Sequence, residues 1–94
     1  GREVMYNLIY SSTAKEALKK LKKNEPNAFL KLNKMLKELM IHPRTGTGHP
    51  EQLKGDMNGL WSRRITQKHR LLYQIQEQEV IVIILNAYGH YYDK

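Results

Sequence analysis

The chain has 94 residues, no cysteine, and 16 lysines and arginines against nine aspartates and glutamates, which gives a formal charge of +7. This length suits one compact domain with a modest core, and the lack of cysteine excludes a disulfide framework and a thiolate metal site. No apolar run reaches the roughly 18 to 20 residues that span a bilayer and no signal segment is visible, so we expect a cytoplasmic protein whose charge favours nucleic acid or an acidic protein partner.

The first part of the chain predicts one strand and then a helix. Residues 1–4 carry no pattern and are interpreted as an expression remnant outside the domain. Residues 5–10 alternate Tyr6, Leu8 and Tyr10 with less apolar neighbours, which is the period of a half-buried strand. Thr13 and Glu16 match a capping box, so an amphipathic helix rich in lysine is expected to begin there.

A second helix is expected to be opened by Asn24 and Pro26 and to end before His42, because Pro43 disfavours helix in the residue before it. The two helices should form a hairpin. The predicted apolar stripe of the second helix consists of Phe29, Leu32, Leu36, Leu39 and Met40.

The remaining sequence changes to the alternating pattern of strands, with turns predicted at residues 55–59 and 66–69. Residues 80–85, "VIVIIL", are apolar throughout and predict a central strand covered on both faces. The fold class is therefore α+β, with a small antiparallel sheet and two N-terminal helices packed on one of its faces.

A cluster of basic residues lies in "GLWSRRITQKHRLLYQI", which spans residues 59–75. If its turn is centred near Gln67, Arg64 and Arg70 lie opposite each other, and like charges so placed destabilise a sheet unless an anion lies between them. This arrangement favours a phosphate site. The alternative is a solvated basic face without a ligand.

Glu51 and His90 are the candidate acid–base groups. Glu51 lies in a loop containing glycine, proline and histidine and can act as a general base, although its spacing alone favours a surface salt bridge. His90 follows the last strand and can donate a proton. No histidine pair has metal-ligand spacing, so no metal or other cofactor is expected. Tyr88, Tyr91 and Tyr92 can stack on RNA bases or pack on the sheet edge.

Three segments together, "HPEQLKG", "GLWSRRITQKHRLLYQI" and the late "GHY", resemble the YoeB/Txe family of bacterial type II toxins, within the RelE-like superfamily. The resemblance runs from about Met5 to Asp93. It implies a microbial-RNase-like fold and an mRNA endonuclease that acts in the ribosomal A site. It also implies a homodimer and an antitoxin of the YefM/Phd type. Operator DNA would be bound only through that antitoxin.

The resemblance also assigns roles to residues. Glu51 corresponds to the general base, Arg70 to the arginine of the transition state, His90 to the general acid and Tyr91 to the terminal tyrosine. Further basic positions that bind RNA or support the site are expected at Lys54, Arg64, Arg63 and His69. Ala87 and Tyr88 stand where family members often have a Cys-Arg pair, so substrate orientation is expected to differ there.

Two other functions share the charge of this chain. A gyrase-inhibiting toxin of the same superfamily would need no acid–base pair, and a basic module that binds RNA or the ribosome would need only charge. The presence of both Glu51 and His90 favours the nuclease.

Overall fold

The structure is a computed structural model that describes residues 4–89. In chain order the elements are β1 (Asn7–Tyr10), α1 (Ser12–Asn24), α2 (Pro26–Ile41), β2 (Glu51–Gln52), a single 3-10 turn (Gly55–Met57), β3 (Trp61–Arg64), β4 (Arg70–Gln76) and β5 (Ile81–Asn86). No helix among residues 4–89 is both long enough and apolar enough to cross a bilayer.

The five strands form one sheet in the order β1-β5-β4-β3-β2. Strands β2 to β5 are antiparallel to their neighbours, whereas β1 runs parallel to β5. The α+β prediction is confirmed, but the expectation of a wholly antiparallel sheet is wrong at this edge. The parallel direction brings Ser11 beside the end of β5, where its N–H donates to the Ile84 carbonyl and its hydroxyl to the Leu85 carbonyl.

The N-cap of helix α1 lies two residues before the predicted cap. Ser11, not Thr13, is the N-cap, and its hydroxyl accepts the Ala14 N–H at 3.0 Å. The reason is that β1 ends at Tyr10, which leaves Ser11 as the last extended residue before the helix. Thr13 lies inside the first turn, and Glu16 forms an exposed ion pair with Lys19 at 3.6 Å.

Helix α2 has the predicted bounds, with Pro26 in its first turn and its last helical residue just before His42. It packs against α1, and the pair covers one face of the sheet to form the core. Two predicted members of its apolar stripe, Phe29 and Met40, are only half-buried. The buried residues of α2 are Ala28, Leu32, Met35, Leu36 and Leu39.

The apolar strand β5 lies inside the sheet, but β4 is the central strand. Val82 and Ile84 are fully buried beneath the helices, whereas Ile81 and Ile83 are half-buried. The prediction that this strand is covered on both faces is therefore wrong. The two helices lie on one face, and the other described face carries the cleft.

Candidate active site

An open cleft of about 630 Å³ lies on the sheet face opposite the helices. Its floor is formed by strands β2 to β4, and one wall is the loop between α2 and β2. The floor contributes Glu51, Ser62, Arg64 and Arg70, and the loop contributes Arg44, Thr45, Gly46, Gly48, His49 and Pro50. The cleft thus holds three arginines and one carboxylate.

The strand register places the charged groups of the floor on one face. Glu51 lies opposite Ser62, and Arg64 lies opposite Arg70, as the hairpin pattern predicts. Residues diagonal to each other across an antiparallel pair have Cα atoms about 7–8 Å apart, which applies to Glu51 and Arg64. Side chains of this length can therefore converge on a single phosphate group.

The guanidinium of Arg70 folds back onto the turn that precedes β4. Its Nη1 donates to the carbonyl of Thr66 at 2.7 Å and, at 3.3 Å, to those of Gln67 and His69. These carbonyl dipoles stabilise the positive charge beside Arg64, so the close pair of arginines does not require a bound anion. Within the described chain, Nε and Nη2 of Arg70 donate no hydrogen bond, which leaves them available to a ligand.

Arg63, which was predicted to bind RNA or to support the site, is fully buried, so only the supporting role fits its position. Its side chain alternates to the helix face, where Nη1 donates to the Glu38 carboxylate at 2.8 Å and Nε to the Tyr73 hydroxyl at 3.1 Å. Nη2 donates to the carbonyls of His42 and Thr45 at 2.7 and 2.8 Å. Arg63 therefore fixes the loop that forms the cleft wall.

The carboxylate of Glu38 holds the same loop from α2. It accepts the Thr47 N–H at 2.8 Å and the Thr47 hydroxyl at 2.6 Å, in addition to Arg63. Burial acts to raise the pKa of Glu38, but these hydrogen bonds and the Arg63 charge outweigh it and lower the pKa below its usual value. Glu38 is therefore a structural anion, tied to the cleft wall through Arg63 and Thr47.

The loop passes close to α2 and β3 at Gly48. A side chain there would put its Cβ 2.6 Å from the Arg64 carbonyl oxygen and closer still to the Met35 methyl, at a φ of +90°. Only glycine suits this position. His49 follows with a φ of 53°, which is rare for a residue with a side chain and places it on the cleft wall.

His69, for which the same two roles were predicted, is also buried, with 1% of its surface exposed, so only the supporting role fits its position. Its Nε2 lies 2.5 Å from the Glu25 carboxylate, and its Nδ1 accepts the Gly89 N–H at 2.8 Å. Glu25 connects the two helices, so His69 joins the helical layer to the end of the described chain.

The other predicted site residues lie outside this cleft or outside the described residues. Lys54 is exposed and precedes the 3-10 turn, away from the residues that line the cleft. His90 and Tyr91 lie beyond residue 89. Of the two positions that depart from the usual Cys-Arg pair, Ala87 is buried and Tyr88 packs on the His69 ring, with centroids 4.5 Å apart.

The cleft residues that sequence reasoning missed include Arg44, His49 and Ser62. Arg44 and His49 flank the glycines of a loop next to Glu51, and this proximity was the available signal. Ser62 alternates with Trp61 and Arg63 and lines the cleft, so the period of two, which puts it on the same face as Arg64, could have found it.

The comparisons with known proteins agree on one class. A model of the YoeB-like toxin of bacterial type II toxin–antitoxin systems matches residues 10–91. Toxin YoeB of Streptomyces coelicolor is 38% identical over 61 residues, which cover 65% of this chain and 70% of that protein.

Solved structures give the same result over more of the chain. A YoeB/ParE toxin from Agrobacterium tumefaciens superposes with a TM-score of 0.84 at 29% identity, covering 90% of this chain and 99% of that one. A Staphylococcus aureus YoeB dimer gives a TM-score of 0.80 at 32% identity, covering 93% and 99%. The S. aureus YoeB–YefM complex gives 0.78 at 32%, covering 92% and 98%.

Two helices over one face of a five-stranded sheet thus form a fold that this chain shares with the solved YoeB-type structures, which places it in the class of small bacterial toxins. Within that class, the chain belongs to the YoeB-like toxins of bacterial type II toxin–antitoxin systems.

Proposed function

We propose that this toxin is a ribosome-dependent mRNA endoribonuclease. It cleaves mRNA without a metal ion and thereby inhibits translation. The observation that carries the proposal is that Glu51, Arg64 and Arg70 line one cleft, so that a carboxylate shares it with two guanidinium groups. A module that only binds RNA has no need for the carboxylate, because an acid in a basic cleft weakens phosphate binding.

The chemistry follows from the substrate. RNA carries an internal nucleophile, the 2′-hydroxyl, and Glu51 accepts its proton as the oxygen attacks the adjacent phosphorus. Arg64 and Arg70 stabilise the negative charge that develops on the phosphoryl oxygens. The bond to the 5′-oxygen then breaks, which leaves a 2′,3′-cyclic phosphate and a 5′-hydroxyl. DNA lacks the nucleophile and should not be cleaved.

The acid that protonates the 5′-oxygen is His90 in this proposal, and Tyr91 contacts the same substrate. Both assignments rest on the family resemblance. The position of Gly89 supports them, because its carbonyl accepts the Arg70 N–H at 3.0 Å. Gly89, the last described residue, therefore lies beside Arg70 of the cleft, and His90 is the next residue in the sequence.

The proposed partners are the ribosome with its mRNA, and an antitoxin that masks the cleft. The S. aureus relative has been solved with YefM and as a dimer, which supports a YefM-type antitoxin and a homodimer for this chain. The charge of +7 favours both ribosomal RNA and an acidic antitoxin segment.

The proposal is tested by primer extension on mRNA in programmed ribosomes. The wild-type protein should produce cuts that require the ribosome, and Glu51→Gln should produce almost none. Asp56→Asn is the matched control, because Asp56 is an exposed acid that does not line the cleft. Intact mRNA with the wild-type protein, accompanied by inhibition of gyrase supercoiling, would replace the nuclease with the gyrase-directed function.

A substrate with a 5′-thio leaving group separates the acid from the base. A thiolate departs without a proton, so this substrate should largely restore cleavage by His90→Gln and should not restore cleavage by Glu51→Gln. Equal restoration of both variants, or of neither, would remove His90 from the role of acid.

A further inference from the structure

His69 is a buried polar residue whose two ring nitrogens both have partners. Nε2 faces the Glu25 carboxylate at 2.5 Å, and Nδ1 faces the Gly89 N–H at 2.8 Å. A backbone N–H can only donate, so Nδ1 must be unprotonated and the ring proton must lie on Nε2. Glu25 thereby selects the tautomer that can hold Gly89.

The carboxylate of Glu25 is itself kept ionised. The hydrogen bond from His69 is the main cause that lowers the pKa of Glu25, and the nearby charge of Lys68 acts in the same direction. Lys68 lies 3.8 Å from the carboxylate and is largely exposed. The Glu25 oxygen that faces His69 therefore remains an acceptor at neutral pH.

Both backbone polar groups of Gly89 are committed to the start of β4. Its N–H donates to the His69 ring, and its carbonyl accepts the Arg70 N–H. Its φ is +78°, although no atom lies within 4 Å of a Cβ built there, so backbone conformation rather than space calls for glycine. The chain bends at Tyr88 and Gly89, next to Arg70 of the cleft.

The segment before Gly89 is fixed as well. The Asn86 side chain accepts the N–H groups of Ala87 and Tyr88 at 2.8 and 3.2 Å. Tyr88 packs its ring on His69, and the Lys20 ammonium lies 5.3 Å from the centre of that ring. The contacts of Gly89 thus complete a turn that leads from β5 to residue 90.

We infer that His69 and Glu25 are positioning residues of the nuclease. They hold Gly89 against Arg70 and so fix the point from which the chain continues to His90. This inference rests on the proposed function. It gives the buried histidine a role that needs no contact with RNA, and it explains why a polar pair links the helical layer to the sheet at this point.

The test uses two amides that each reproduce one half of the histidine. In His69→Asn the side-chain oxygen lies near the place of Nδ1 and can accept the Gly89 N–H, but the side chain is too short to reach Glu25. In His69→Gln the terminal amide lies near the place of Nε2 and can donate to Glu25, but it leaves the Gly89 N–H without its acceptor. Both variants lose the ring that packs on Tyr88, so each controls for the other.

The two readouts are hydrogen exchange of the Gly89 amide and single-turnover cleavage on programmed ribosomes, with ribosome affinity measured separately. We expect His69→Asn to keep the Gly89 amide protected from exchange. Its cleavage rate should be within about threefold of wild type, well short of the loss that removal of a supporting group usually causes. His69→Gln should lose the protection and about 10–100-fold in cleavage rate, with unchanged ribosome affinity. Equal losses in the two variants, or a loss of affinity instead of rate, would overturn the inference.

Glu25 provides a second pair of variants if the changes at His69 prevent folding. Glu25→Gln keeps an oxygen that can accept the Nε2 proton and should behave as wild type, whereas Glu25→Leu should resemble His69→Gln. Identical behaviour of these two variants would also overturn the inference. If the wild-type protein cleaves nothing, the proposed function fails, and the Gly89 exchange rates still decide whether His69 anchors this turn.

Discussion

Arg70 combines two roles at the scale of a single residue, because it both closes its own turn and faces the cleft. On the proposed mechanism, Arg70→Ala should lower the single-turnover cleavage rate about 10²–10³-fold, the usual effect of removing one preorganised donor. Its thermal midpoint should change little, since the loss of the hydrogen bonds to Thr66 and its neighbours offsets the relief of repulsion with Arg64.

Arg70→Lys is the control for this prediction. It keeps the charge but not the planar pair of donors, so its rate should lie between those of the wild type and the alanine variant. Cleavage by Arg70→Ala at nearly the wild-type rate would remove Arg70 from the mechanism.

Glu38 makes stability depend on pH. Its folded-state pKa is lowered, so its contribution is fully present above the unfolded value of about 4.3 and is lost as the pH falls through the lower, folded value. Glu38→Gln should therefore be less stable than wild type at pH 7, and this difference should shrink below about pH 4. Thermal midpoints from pH 7 to pH 3 measure it, and a constant difference would contradict the prediction.

Arg63 and His69 show why single residues were the hardest part to predict. Reasoning from sequence places a polar or charged side chain on the surface unless a buried partner is known. Here the partner of Arg63 is Glu38, 25 positions away, and the partner of His69 is Glu25, 44 positions away. Strand alternation assigns Arg63 to the face opposite Arg64, but it does not say which face carries the cleft. By contrast, the pairing of Arg64 with Arg70 follows from the turn alone and was predicted.

At the scale of the element, the start of α1 depends on Ser11. Ser11→Ala removes the cap to the Ala14 N–H and the bond to the Leu85 carbonyl, so it should destabilise the protein by about 1 kcal/mol or more. For a domain of this size that corresponds to a fall of roughly 4–8 °C per kcal/mol in the thermal midpoint.

Thr13→Ala is the matched control for Ser11→Ala. Thr13 is exposed inside the first turn, and alanine has the better helix propensity, so this variant should be as stable as wild type or slightly more so. A larger loss for Thr13→Ala than for Ser11→Ala in thermal unfolding would restore the capping box at Thr13 and Glu16.

The elements themselves were largely predictable where local chemistry decides them. Pro26 and Pro43 bound α2 because proline restricts its neighbours in any context, and the alternation of Tyr6, Leu8 and Tyr10 reveals β1. The direction of β1 and the identity of the central strand depend on which strands meet across the whole chain. No local pattern records that, so the parallel edge and the central place of β4 were missed.

At the scale of the whole molecule, the charge of +7 should govern association with the proposed antitoxin. A segment rich in Asp and Glu over Arg64 and Arg70 would compete with RNA phosphate, and raising the salt from about 50 to 500 mM should slow its association, because electrostatic steering is screened. Stopped-flow measurements at several ionic strengths test this expectation.

Arg64→Gln gives the control for the salt dependence. The Arg64 side chain is exposed and has no hydrogen-bond or ionic partner among residues 4–89, so this variant should fold normally and show a smaller effect of salt. Association rates that do not respond to ionic strength in the wild-type protein would contradict masking by charge.

The parallel pairing of β1 with β5 also sets an order of events during biosynthesis. The Ser11 hydroxyl bonds to the carbonyl of Leu85, which lies 74 positions later in the chain. Because so long a loop must close first, this hydrogen bond forms late in folding. Strand β1 is synthesised before the other described elements, but Tyr6, Leu8 and Tyr10 have no neighbouring strand until residues 81–86 have followed. The sheet that carries the cleft is therefore completed only after synthesis has passed residue 86, so a ribosome translating the earlier codons of this toxin holds a chain whose sheet is still unfinished.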